Sequence, residues 1–105
     1  MGSKIEKIIW TNPAVDDLSE IFLFLEITIN IDKAEEITTK LYQRVDDLFD
    51  FPEMGTIAYN RHGIKSEYRY LVEKPYKILY SVFNNIVYVE AVYDTRQDPM
   101  KVYFQ

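Results

Sequence analysis

Residues 76–93, YKILYSVFNNIVYVEAVY, constrain this chain more than any other stretch. Two runs rich in β-branched and aromatic residues flank Asn84-Asn85, and asparagine tolerates the positive φ that a type I′ turn demands. The pattern predicts a hairpin with those asparagines at its tip and Phe83 facing Ile86. Val82/Val87, Tyr80/Val89, Ile78/Ala91 and Tyr76/Tyr93 then share one face. Ser81/Tyr88, Leu79/Glu90 and Lys77/Val92 share the other. The first set is uniformly apolar or aromatic and should receive helices. The second should be partly open, with Lys77 and Glu90 as a cross-strand ion pair contributing roughly 0–1 kcal/mol.

EYRYLV (67–72) supplies a preceding strand, ended by Lys74-Pro75, and KIEKIIW (4–10) a short first strand. Between them the period becomes helical. Asn12 and Pro13 suit the N-cap and first turn of a helix whose stripe is Val15, Leu18, Phe22, Leu25 and Ile29, widened by Ile21. Asp32 with Glu35 three residues on predicts a capping box for a second helix, buried through Ala34, Ile37, Leu41, Val45 and Leu48. FPEMG (51–55) ends it. The Phe and Leu residues of both helices read as core. The expected order is β-α-α-β-β-β: an α+β fold with a two-helix hairpin on one face of a small, mostly antiparallel sheet.

With 105 residues, this is one domain spanning 1–105, with a modest core. Without cysteine it has neither disulfides nor thiol chemistry, and scattered carboxylates with a single histidine give no metal-ligand spacing. No cofactor is expected. No apolar run is long enough to span a membrane. MGSKIEKIIW lacks the apolar stretch and cleavage site of a secretory leader, so a cytoplasmic location is expected; the terminal MGS and YFQ carry no functional weight. Net charge is −5, but residues 1–53 hold 12 acids and 5 bases whereas 54–105 hold 5 acids and 7 bases. An anion site therefore belongs in the second half.

WTNPAVDDLSEIFLFL (10–25), FPEMG (51–55), EYRYLV (67–72), YKILYSV (76–82) and VYDTRQDP (92–99), taken in order, resemble the RelE/ParE superfamily of toxin–antitoxin toxins. The resemblance implies a toxin held inactive by a cognate antitoxin. Its target is messenger RNA on the ribosome, cleaved in the RelE branch, or DNA gyrase, inhibited without RNA chemistry in the ParE branch. A third possibility is a member that binds an antitoxin without toxicity. The resemblance also implies site residues. Arg69 stands where the family has a phosphate-contacting arginine, Lys77 where arginine is usual, and Arg96 where a basic residue recurs. Asp94 lies near a position at which several RNA-cleaving members carry histidine or tyrosine. RNA cleavage needs a base for the 2′-hydroxyl and cations around the phosphate. Glu67, Glu90 or Asp94 is the candidate base, Tyr93 a candidate donor, and Arg61 and Lys65 candidate RNA contacts. Leu79, Val92 and Ile86 are candidate antitoxin contacts on the open face.

Overall fold

A computed structural model of the protein describes residues 4–59 and 62–96. β1 (Lys7–Trp10) leads into α1 (Asn12–Thr28) and α2 (Ile31–Asp46), a 3₁₀ turn follows at Asp47–Phe49, and four strands close the fold. These are β2 (Thr56–Tyr59), β3 (Lys65–Glu73), β4 (Tyr76–Phe83) and β5 (Ile86–Asp94). The sheet order is β1-β5-β4-β3-β2, with β1 parallel to β5 and the other neighbours antiparallel. The α+β architecture agrees with expectation. β2 is an addition, in a stretch the sequence offers as loop. It is short, and its pairing with β3 slips between Ile57 and Tyr59, so it leaves little period-2 signal.

Both helix starts differ from the predicted caps. Thr11, not Asn12, caps α1: its Oγ1 accepts from the Ala14 N–H at 3.3 Å and donates to the Val89 carbonyl at 2.9 Å. One hydroxyl thus ends a helix and ties it to β5, a long-range contact no local pattern reveals. Asn30 caps α2 through a 2.7 Å bond from the Lys33 N–H, so the boundary falls before Asp32. The stripe expected of α2 is buried, Leu41 and Val45 within the helix and Leu48 in the 3₁₀ turn that follows it, each contributing roughly 1.5–3 kcal/mol over an exposed side chain. In α1, Ala14 rather than Val15 takes the buried position, its small size allowing close approach to the sheet. Ile29 has left the helix as its C-cap and is exposed.

The β4–β5 register is as expected from Phe83/Ile86 to Tyr80/Val89, then slips, because Leu79 faces Ala91 instead of Glu90. Glu90 is the extra residue of a β-bulge. Every pair beyond it moves by one: Ile78 faces Val92, Lys77 faces Tyr93 and Tyr76 faces Asp94. Val92, expected on the open face, therefore joins the core, and Tyr93 and Ala91 exchange sides with it. The bulge is braced from α1, where Asp17 Oδ2 accepts the Val92 N–H at 3.0 Å. Asn84 and Asn85 do adopt positive φ, 58° and 65°.

Candidate functional site

Side-chain alternation divides the predicted site residues between the two faces of the sheet. Arg69 pairs with Tyr80 and lies two residues from Leu71, both core residues, so it points toward the helix side. Lys65 and Glu67 share its face. Lys77 lies between Tyr76 and Ile78, also core, and therefore points to the open side. Asp94, opposite Tyr76, is again on the helix side. Along the strands Lys77 faces Val72, three residues from Arg69, a further roughly 10 Å. The three cations do not converge on one point.

Each also has a local partner. Arg69 Nη1 donates to the carbonyls of Gly55 at 2.9 Å and Glu53 at 3.2 Å. Beside it the Tyr80 hydroxyl donates to the Pro52 carbonyl at 2.8 Å and accepts from the Gly55 N–H at 3.0 Å. Two sheet side chains therefore clamp the loop after the 3₁₀ turn. Gly55 is needed for space, since a Cβ there would lie 2.5 Å from the Tyr80 hydroxyl. Burial pushes the Tyr80 phenol up, offset partly by the Gly55 amide and the positive charge of Arg69. A cleft of about 860 Å³ opens beside this clamp, lined by Arg69, Glu67, Glu53, Lys4 and exposed Phe49 and Phe51.

Lys77 Nζ sits 4.2 Å from the centre of the Tyr70 ring, a cation–π contact. The expected Lys77–Glu90 pair does not form, because the bulge displaces Glu90, which accepts instead from Ser81 Oγ at 3.1 Å. The Tyr93 phenol, across from Lys77, is raised chiefly by burial and then by Tyr70. At the end of β5, Arg96 grips Asp94 through Nε at 3.0 Å and Nη2 at 2.8 Å, and its backbone N–H adds a third bond at 2.9 Å. The Arg96 hydrogen bonds hold the buried Asp94 carboxyl below its ordinary range, against the opposing effect of desolvation. An ionised, bidentately held carboxylate is a poor proton acceptor. Lys65 is exposed on β3, whereas Arg61 lies outside the described residues. Leu79 and Val92 are buried, unlike the open-face contacts expected of them. Among the described residues no three His, Asp or Glu side chains gather as metal ligands do, and no described helix is long and apolar enough to cross a membrane.

The ParE toxin family of the type II parDE toxin–antitoxin system matches residues 8–99. The chain belongs to the ParE toxin family. No curated protein matches its sequence. Among solved structures it resembles a chain of the chromosomal ParDE toxin–antitoxin system of P. aeruginosa, with TM-score 0.71 and 20% identity over 88% of this chain and 98% of that one. At that identity the likeness speaks for the fold. Within this ParE-family chain, sequence reasoning missed the clamp of Tyr80 and Gly55 and the exposure of Leu23 and Phe24 on α1. The run IFLFLEITI, apolar on every side, carried the signal for the second: it offers more than one buried stripe can absorb.

Proposed function

We propose that this chain is the growth-inhibiting toxin of a type II toxin–antitoxin pair, acting in the cytoplasm on DNA gyrase and neutralised by a cognate antitoxin. The observation that carries the proposal is the ParE family match over residues 8–99. The geometry supports the gyrase reading over the ribonuclease one. A phosphate-cleaving site draws its cations around one phosphorus, whereas here Arg69 holds a loop, Lys77 lies on the opposite face, and Arg96 is bound to Asp94. Inhibition by binding needs no general base, and Asp94 is poorly suited to be one.

The test is a supercoiling assay with purified gyrase and the purified chain, run beside primer extension on messages from induced cells. Loss of supercoiling with intact messages is expected. Undisturbed supercoiling at excess protein, or cleaved messages, overturns the gyrase reading.

A further inference from the structure

The clamp on the loop engages only part of the Arg69 guanidinium. Nη1 is taken by the carbonyls of Glu53 and Gly55, which fix the plane of the half-buried group. Among the described residues, Nε and Nη2 make no hydrogen bond, and the exposed Glu67 carboxylate has neither a hydrogen bond nor an ion pair. Arg69 and Glu67 stand two residues apart on one face of β3, roughly 7 Å along the strand. Both line the cleft of about 860 Å³, a volume typical of small-ligand sites, which span roughly 300–1,000 Å³. Its apolar walls are Phe49, Phe51 and Val82, 42, 64 and 40% exposed. Large apolar side chains gathered round convergent polar groups form a binding site rather than scattered surface.

Charge narrows the ligand. Two bases, Lys4 and Arg69, line the cleft with three acids, Asp50, Glu53 and Glu67. A phosphate or a fatty carboxylate meets the excess of acids, and a purely cationic ligand meets the fixed guanidinium. A zwitterion with an apolar body satisfies both. We propose that the cleft binds a short apolar peptide with free ends, in the simplest case a dipeptide. Its carboxylate takes the parallel N–H pair of Arg69 Nε and Nη2, its ammonium takes Glu67, and its side chains pack on Phe49, Phe51 and Val82. Two extended residues span roughly 7 Å, the separation of Arg69 from Glu67 along the strand. The site needs neither gyrase nor an antitoxin, so it stands apart from the toxin reading above.

The test titrates leucyl-phenylalanine into the full chain by calorimetry, beside its N-acetylated form, its C-terminal amide and glycyl-glycine. The free apolar dipeptide should bind and raise the melting temperature by mass action. Acetylation and amidation should each weaken binding by about tenfold or more, as loss of a hydrogen bond between charged groups does, and glycyl-glycine should not bind. Glu67→Gln should weaken leucyl-phenylalanine to the level of its acetylated form and leave the acetylated form unchanged. A misfolded variant would lose both. In ¹H–¹⁵N spectra the Arg69 Nε–H signal should move with leucyl-phenylalanine and stay in place with the amide. No binding at about 10 mM, an affinity weaker than roughly −3 kcal/mol, overturns the proposal. So does equal binding of the acetylated peptide, which mimics the C-terminus of a protein chain. Full affinity in Glu67→Gln, or an Arg69 signal that ignores the free carboxylate, overturns it as well.

Discussion

The Tyr80 hydroxyl satisfies two backbone groups of the loop that follows the helices. Tyr80→Phe strands the buried Gly55 N–H and frees the Pro52 carbonyl, an unmade-bond penalty of about 1–3 kcal/mol. Gly55→Ala drives a methyl into the same hydroxyl and should cost about 1–3 kcal/mol by overpacking. Because both act on one contact, the double variant should lose less than the sum of the two; strict additivity in urea titrations would show that the clamp is not a unit. Asp94 gives a pH-dependent test. Its folded pKa lies below its ordinary value of 3.8, so the native state holds this proton less tightly than the unfolded chain. The resulting stability is complete above that ordinary value and disappears as pH falls through the depressed one. Asp94→Asn should therefore flatten the acid limb of a stability–pH curve below about pH 4 and leave its shape at neutral pH unchanged. Neither device is legible locally: Tyr80 reads as one more alternating aromatic, and Asp94 as a strand exit.

Thr11 and Asn84 do comparable work for whole elements. Thr11 caps α1 and binds β5 across the chain, so Thr11→Ala should cost about 1–2 kcal/mol, the larger end reflecting the second bond. Asn84 holds the hairpin tip at φ 58°; Asn84→Val places a β-branched residue there and should cost about 1–2 kcal/mol. Asn85→Gly, which creates the preferred Asn-Gly type I′ pair, should raise the melting temperature. A lower melting temperature for Asn85→Gly would mean that the tip does not depend on turn chemistry. The tip and the four pairs nearest it were legible because turn residues and alternation act locally. The bulge at Glu90 was not, since what holds it is a carboxylate on α1 bonded to the Val92 amide. That single displacement moved Val92 into the core and separated Lys77 from Glu90. The same logic explains α1, where period alone could not say which of several apolar faces the sheet would take.

For the molecule as a whole, the placement of the basic residues is what supports the proposed gyrase reading over RNA cleavage. Arg69, Lys77 and Arg96 all lie in the strand-rich half to which the charge split points, but the pleat sends Arg69 and Lys77 to opposite sides, and a sheet side cannot be read from net charge. If the chain cleaved RNA through a shared phosphate site, removing one cation would cost about 10²–10³ in rate. If it inhibits gyrase by binding, Lys77→Ala removes only a half-buried cation–π contact of about 1 kcal/mol and leaves the toxic surface otherwise intact. Lys77→Ala is therefore expected to arrest growth and block supercoiling within about fivefold of the wild type, a change of roughly 1 kcal/mol, with messages intact in both. Arg69→Ala differs in kind. It releases the Glu53 and Gly55 carbonyls, so its effect should appear first as a lower melting temperature and only through that as lost toxicity. A hundredfold loss of activity in Lys77→Ala at unchanged stability, accompanied by cleaved messages in the wild type, would return the chain to the ribonuclease branch.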